Sequence, residues 1–543
     1  MKRALWASCV LLMAGACYWL AAQRPAARQL AAWMPAGAIL HVEANDFASL
    51  WNDWSQSPEK AAWLASANYQ AWLRSRVALR LEEVRADYAG LSGVTLDAAL
   101  ISGLAGREAA LAIYDLSQGE FLYLAQLPAE RVSQTALWAV RNQFQTRTLG
   151  GVNYYRKSSG SRVLCFAVAN GHLFLATRED LLTGALQLMQ GGQGPAIAAE
   201  SWYGQAVPSS AAAGDLRWRA DFARLRRSAY FRSYWLQAHP PEWGEFSGAG
   251  AVLTFDGSGL TEERVFVRAE PRPAPADAGV AAVMRLAPDD AGVSQAWFQP
   301  APAHVVALAT SVLLGRGEAV TPERNEEANS ASGADFTRRL DEPPATVAGL
   351  PDPAGPLRPL LDANRAQAAL VVRASRGGTL PGFDHLLVVE GSTDWDAAAV
   401  RQALSQMATL AWQASAWTSR GAWQELDGAM PVSFATAGRT LILASSPRWM
   451  NASLSRLKAA PAGPRAHYAA RYRHQAEWPT FERTVRLIDF PFAPTGDAPG
   501  REPVFFSENV ASLGRVFSRW QTVVVVSRDE GNLVRETASY RKP

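Results

Sequence analysis

The sequence predicts an α+β fold of two tandem similar repeats, each a mainly antiparallel sheet with packed helices, behind an N-terminal membrane segment. Three observations predict it. A hairpin occurs twice, other segments echo each other in the same order along both halves, and an uncharged apolar stretch follows Lys2-Arg3. The first hairpin is Phe166-Ala167-Val168-Ala169-Asn170-Gly171-His172-Leu173-Phe174-Leu175-Ala176. The second is Phe434-Ala435-Thr436-Ala437-Gly438-Arg439-Thr440-Leu441-Ile442-Leu443-Ala444. Each is two apolar runs around a two-residue turn. Asn170-Gly171 suits a type I′ turn and Gly438-Arg439 a type II′ turn, with glycine first. Because both runs are apolar at nearly every position, they are expected to be central strands covered on both faces.

At 543 residues, the chain exceeds one ordinary core. Hydrophobic residues at 48% and charged residues at 19% describe a globular protein. A net charge of +3 gives no case for nucleic acid. Three cysteines exclude a disulfide framework, and Cys165 in a predicted buried strand reads as a small hydrophobe. Twenty tryptophans point to core and inter-repeat packing, or alternatively to an aromatic binding platform.

Along the chain, residues 4–23 carry no charge and are long enough to span a hydrocarbon core. The basic start favours a single-pass anchor in the inner membrane, N-terminus in, with the bulk of the chain periplasmic. Cleavage after Ala14-Gly15-Ala16, or lipidation at Cys17, are the alternatives. All three place the later residues outside the cytoplasm.

The domains are expected at 1–33 (anchor), 34–269 (first repeat), 270–286 (linker, led by Glu270-Pro271-Arg272-Pro273-Ala274-Pro275) and 287–543 (second repeat). In the first repeat, strands are expected at 38–43, 109–114, 121–127, 152–156, 163–169, 172–177 and 216–220. Helices are expected from Asp46, over 68–88, 96–104, 129–144, 178–189 and 221–237. A closing hairpin at 251–268 turns at Asp256-Gly257-Ser258-Gly259. In the second repeat Ala368–Val372 echoes Ala109–Ile113, His385–Gly391 echoes Phe121–Leu127, and Trp395–Trp412 echoes the helix 129–144. The closing hairpin recurs at 523–541, turned at Asp529-Glu530-Gly531-Asn532. The helix 68–88 has no echo; polar, glutamate-rich 315–334 stands in its place. The halves are expected to pack on each other.

The Pro35–Ala38 strand start and the apolar hairpin leading into a helix at 163–189 resemble a family of uncharacterised bacterial extracytoplasmic proteins, a "domain of unknown function" family with an N-terminal signal or anchor. The resemblance implies no activity, no cofactor and no catalytic residue.

Catalytic chemistry finds no complete set. Ser455-Arg-Leu-Lys458 has the Ser-x-x-Lys shape but lacks its Ser-Asp-Asn and Lys-Thr-Gly partners. No Gly-x-Ser-x-Gly, P-loop or His-Glu-x-x-His occurs. His467 and His474, if on one strand, would face opposite sides. The acids Asp289-Asp290 and Glu326-Glu327 read as a solvated surface. The sharpest stretch is the expected helix 221–237. There Arg224, Arg226, Arg227, Arg232 and Trp235 could contact anionic headgroups, or the arginines could simply be solvated while Phe222, Leu225 and Ala229 face the core.

Three functions follow as expectations. The first is a membrane-anchored, non-catalytic scaffold or partner-binding module of the bacterial envelope, with an envelope protein as partner. The second is a glycan or ligand binder using exposed tryptophans, with Trp412, Trp417 and Trp423 as candidates. The third is an enzyme with an unrecognised site. No metal or cofactor is expected. Activity is to be sought where the halves diverge, at 68–88 against 315–334 and in the helix 221–237.

Overall fold

The structure is a computed structural model that describes residues 30–208, 210, 214–228, 244–275, 279–314, 355–376, 382–411, 416–426, 431–460, 465–489 and 504–543. It is α+β with extensive antiparallel sheet and many helices. The expected membrane segment 4–23 and the polar stretch 315–334 lie outside the described residues. Among the described residues no helix is long and apolar enough to cross a membrane. The chain divides into two compact units, residues 1–47 with 87–204, and residues 48–86 with 205–543.

In the first unit the strands are β1 (Leu40–Ala44), β2 (Ala109–Asp115), β3 (Glu120–Gln126), β4 (Gln145–Leu149), β5 (Val152–Ser159), β6 (Arg162–Ala169) and β7 (His172–Ala176). Their order is β4-β5-β6-β7-β3-β2-β1, every pair antiparallel. The β6–β7 turn has Asn170 at φ 52° and Gly171 at φ 74°, as a type I′ turn requires. Leu122, Leu124, Cys165, Ala167 and Phe174 pack one face against Leu182, Ala185 and Leu186 of the helix Glu179–Met189. Leu30, Ala31, Trp33 and Met34 belong to this same core. The fold therefore starts before the expected boundary at 34, because this short stretch is apolar enough to be buried.

Two expected helices are broken by their own side chains. The helix expected over 68–88 is two, Ala67–Leu73 and Arg76–Ser92, because the Ser75 hydroxyl accepts the Ala78 N–H and starts a new helix. The helix expected over 129–144 is three short turns. Ser133 donates back to the Glu130 carbonyl, and Thr135 caps the next turn through the Trp138 N–H. Strand β4, which follows, was not expected, and its polar sequence matches its exposed edge position.

In the second unit the strands are β8 (Leu216–Asp221), β9 (Phe246–Phe255), β10 (Gly259–Arg268), β11 (Val293–Phe298), β12 (Ala366–Arg376), β13 (Gly382–Gly391), β14 (Trp417–Ser419), β15 (Gln424–Leu426), β16 (Val432–Ala437), β17 (Thr440–Ala444), β18 (Tyr468–Tyr472), β19 (Thr522–Asp529) and β20 (Leu533–Arg541). Their order is β8-β9-β10-β20-β19-β18-β11-β12-β13-β17-β16-β15-β14, again antiparallel throughout. The run β14-β15-β16-β17-β13-β12-β11 follows the same path as β4-β5-β6-β7-β3-β2-β1 in the first unit. Likewise β18-β19-β20 follows β8-β9-β10.

The β16–β17 hairpin lies under cover on both faces, as its composition predicts. Leu441 and Leu443 meet Val305, Leu361 and Val400 on one side, while Ile442 and Ala444 share the opposite core with Val283, Leu286 and Trp449. Gly438 has φ 56°, the glycine-first position of a type II′ turn. Val280, Val283 and Leu286 are buried, so the second half of the expected linker 270–286 is core; only its proline-rich start is an exposed strap.

The two closing hairpins pair with each other. β10 and β20 run antiparallel from Gly259↔Arg541 to Val267↔Leu533. Each hairpin carries an aspartate at its turn and an arginine twelve residues later, Asp256 with Arg268 and Asp529 with Arg541. The ion pairs are reciprocal across the junction. Arg268 Nη2 donates to Asp529 Oδ2 at 2.7 Å, and Arg541 Nη1 donates to Asp256 Oδ2 at 2.8 Å. The first pair is buried, its side chains 6% and 9% exposed, and Arg272 and Glu245 complete it.

Burial works against the charge on Asp529, but hydrogen bonds from Arg272 and the Gly531 N–H, with the Arg268 charge, hold its carboxyl below the usual range. Asp256 is held low chiefly by Ser258 and Arg541. A carboxyl whose folded pKa lies below its unfolded value stabilises the fold above about pH 4, and that stabilisation is lost as the pH falls through the folded value. Thermal melts should therefore show a falling Tm as the pH drops below about 4. Asp529→Asn should cost about 3 kcal/mol at neutral pH and flatten that acid slope, because it leaves Arg268 buried and short of its partner. Ile442→Ala, at a fully buried site, should cost about 2–5 kcal/mol in denaturant unfolding.

Candidate functional site

A large concavity lies within the second unit, where segments distant in sequence meet. They are helix α1 (Pro58–Leu64), helix α2 (Ala67–Leu73), helix α3 (His474–Asp489), a π-helix (Phe505–Val510) and helix α4 (Ala511–Phe517). Serines set the bends. Ser57 caps α1, with Pro58 in its first turn, and Ser66 caps α2 by accepting the Tyr69 N–H at 3.0 Å. Ser66 also donates to the Trp63 carbonyl, tying the end of α1 to the start of α2.

Polar contacts then fasten the helices to one another. The Asn68 N–H donates to Ser512 Oγ at 2.8 Å, and its side-chain amide donates to Asn509 Oδ1. The buried Asp489 carboxylate, ending α3, accepts the Ser507 N–H of the π-helix. Glu508 Oε2 accepts the Val504 N–H at 2.8 Å. α4 packs on α3 through Gly514, where a Cβ would lie 2.3 Å from the Trp478 ring. His474 stacks against Phe517, and burial lowers its pKa. At the base of α3, the Glu477 carboxylate accepts both the N–H and the hydroxyl of Ser375 on β12.

These contacts border an open cleft of about 1180 Å³, lined by Ala62, Ala65, Ser66, Ala67, Gln70, Arg74, Arg486, Ser507, Glu508, Ser512, Arg515, Val516, Ser518 and Arg519. Four of the lining residues are arginines and one is a glutamate, Glu508. Arg486 and Arg515 share a single carboxylate, Glu482 Oε1, at 2.8 and 2.7 Å. The Arg515 hydrogen bond, helped by Arg486, holds the Glu482 carboxyl below its usual range, so it stays ionised at neutral pH. Burial works against the charge on Glu59, but a backbone N–H, the Lys542 ammonium and, least, the Arg519 charge hold its carboxyl below the usual range. Guanidinium groups stay charged and present several donors in one plane, which suits phosphate and carboxylate ligands. Serine hydroxyls between them add neutral donors.

Of the arginines singled out in the sequence, the described helix covers Phe222–Arg227 only; Arg232 and Trp235 lie outside the described residues. Arg224 pairs with Asp221, Arg226 donates to the Phe246 carbonyl at 2.7 Å, and Arg227 is exposed. Phe222 is buried toward the core, as one of the two readings of that helix requires. Trp423 is buried with its indole N–H on Asn451, and half-buried Trp417 donates to Ser405 and meets Phe434 edge-on. Neither offers a flat open ring, and Trp412 lies outside the described residues.

Ser455 ends its helix donating to the Ala452 carbonyl. His467 precedes β18 and accepts the Asp529 N–H, whereas His474 opens α3, so the two never share a strand. Asp289 and Asp290 pair with Arg456 and Arg448 at the surface. Cys165 is buried beside the Ala176 and Arg178 carbonyls, and burial pushes its thiol pKa up. Among the described residues no group of three or more His, Cys, Asp or Glu could hold a metal ion.

The cleft arginines were missed in the sequence because they come from separate segments. The nearest signal was the segment 68–88, marked as divergent, which supplies Gln70 and Arg74.

No family model matches this chain, and no curated protein matches it. Two solved structures are similar in part, crystal forms I and III of TP0453. Each is 9% identical, covers 45% of this chain and 81% of its own, and has a TM-score of 0.25.

If Gly514 sets the α3–α4 approach, Gly514→Val should lower stability by about 1–3 kcal/mol through overpacking. Gly90→Ala, at a helical glycine with open space around it, should not lower it. Thermal melts of both variants make the comparison.

Proposed function

We propose that this protein is a non-catalytic binding module of the bacterial envelope, held at the inner membrane by residues 4–23, and that the arginine-lined cleft is where it takes an anionic partner. The observation that carries this reading is four arginines, from three separate segments, among the lining residues of a single large cleft. The cleft exceeds the roughly 300–1,000 Å³ of ordinary small-molecule sites, and arginine is the commonest charged residue in its lining.

The same proposal includes the duplicated architecture. Two tandem copies of one α+β unit account for the shared strand path and for the reciprocal Arg268–Asp529 and Arg541–Asp256 pairs. In that account α3, which follows β18, corresponds to the basic helix that follows β8.

A photo-crosslinking amino acid in place of Gln70 tests the reading in native membranes. Adducts are expected in the otherwise unaltered chain and should disappear when Arg515→Glu and Arg519→Glu are added. Adducts that survive this charge reversal, or none in either protein, would contradict it.

A further inference from the structure

We infer that the helices Phe47–Gln56, α1 and α2 carry an aromatic belt that lies on the surface of a lipid bilayer. The inference rests on the anchor of the proposed function and not on the cleft. Its basis is a burial pattern. None of the three helices has a fully buried residue, although together they carry Trp51, Trp54, Trp63, Tyr69 and Trp72. Among the described tryptophans Trp54 and Trp72 are the most exposed, at 45% and 38%, whereas Trp395 and Trp449 are buried. Contacts join the rings. Trp51 and Trp54 are three residues apart on one helix and share a face. The Lys60 ammonium sits over the Trp51 ring at 5.8 Å. Lys60 and Trp63 share a face of α1 by the same spacing. Trp63 meets Tyr69 edge-on at 5.7 Å, and Tyr69 stacks on Trp72 at 5.9 Å. The belt is therefore one unbroken chain of neighbours running over three helices.

A helix laid on a protein core buries its apolar stripe, and these helices do not. Tryptophan and tyrosine suit a boundary where one end of the ring is apolar and the other wet, which is why they gather at membrane interfaces. Helices bearing such rings lie in the plane of that interface. The tether names the occupant. The expected span ends at residue 23 and the described chain begins at Leu30, so about 25 Å of extended chain at most parts the fold from the bilayer. With the anchor in place, lipid meets the fold at a high effective concentration. Charge is not the attraction. From Ala48 to Arg74, Lys60 and Arg74 balance Asp53 and Glu59, so the rings do the docking and neutral lipid serves as well as anionic lipid.

The test is photo-crosslinking of the full chain in vesicles of dioleoyl phosphatidylcholine or of dioleoyl phosphatidylglycerol. Benzoylphenylalanine replaces Trp54, Trp72 or, as a similarly exposed apolar residue outside the belt, Phe255. Mass spectrometry identifies the adducts. Lipid adducts should form about tenfold more often at positions 54 and 72 than at 255, the factor that about 1.4 kcal/mol of apolar burial supplies. They should form with both lipids and survive about 1 M salt, where charges are screened beyond about 3 Å. Trp72→Ser should cut the yield at position 54 severalfold and leave the thermal melt unchanged, since Trp72 is exposed. Equal yields at all three sites would overturn the belt, as would adducts lost in salt or confined to phosphatidylglycerol. Adducts between two chains in place of lipid would overturn it in favour of a dimer surface. Flotation of the vesicles separates the belt from the anchor. A chain that floats but gives no lipid adduct at 54 or 72 overturns the belt and leaves the anchor, whereas a chain that does not float overturns both. The cleft is tested apart from either, by the adducts at Gln70.

Discussion

Strand β10 has a partner on each side, β9 from its own hairpin and β20 from the hairpin that ends the chain. That second pairing is the constraint on which the large sheet of the second unit depends. It joins β8-β9-β10 to the rest, and without it three strands would end in an open edge. The pairing is fixed in register by charge as well as by the ladder, because sliding β20 by one residue would part both Arg268 from Asp529 and Arg541 from Asp256. One pair is buried and the other exposed, so the arrangement is symmetric in sequence and asymmetric in energy. The buried pair carries the larger penalty when broken, since an unpartnered guanidinium would remain out of water.

A sheet held in this way frees the helices. The strand paths of the two halves agree, but what is laid on them differs. Over β12, β13, β16 and β17 apolar cores lie on both faces. Around α3 it is otherwise. The chain brings in α1 and α2 from far earlier in sequence, fastens them through Asn68 to the π-helix and α4, and leaves a basic cleft among them. Anchoring from below, by Glu477 on Ser375, and close packing at Gly514 place Arg486 and Arg515 on helix faces, with Arg74 and Arg519 just past helix ends. Sites built this way are placed more accurately than sites on free segments.

Local structure was legible in the sequence where local chemistry decided it. Asn170-Gly171 and Gly438-Arg439 named their turns, and alternating or continuous apolar runs named their strands. Two helices are shorter than their apolar spacing implies, because periodic apolar residues look the same whether or not a serine or threonine intervenes; Ser75 and Thr135 start a new helix by offering their hydroxyls to the backbone. Strand β4 was too polar to stand out. The β10–β20 pairing was out of reach, being a contact between the middle and the end of the chain, although the equal spacing of Asp256–Arg268 and Asp529–Arg541 was there to be read. Trp72 and Leu73 look like core positions on a helix face, yet the structure leaves them exposed. Four arginines from three separate segments form one site only after folding, so no window of sequence displays them together.

Hydrogen–deuterium exchange of the full chain tests the central claim most directly. With β10 paired on both sides, the amides of Glu263, Arg264 and Val265 should exchange among the slowest of the molecule, together with those of Leu441 to Leu443, and well behind those of α2. Exchange of β10 and β20 as fast as that of α2 would contradict the account, because the closing hairpins would then not be joined and the sheet would have no such keystone.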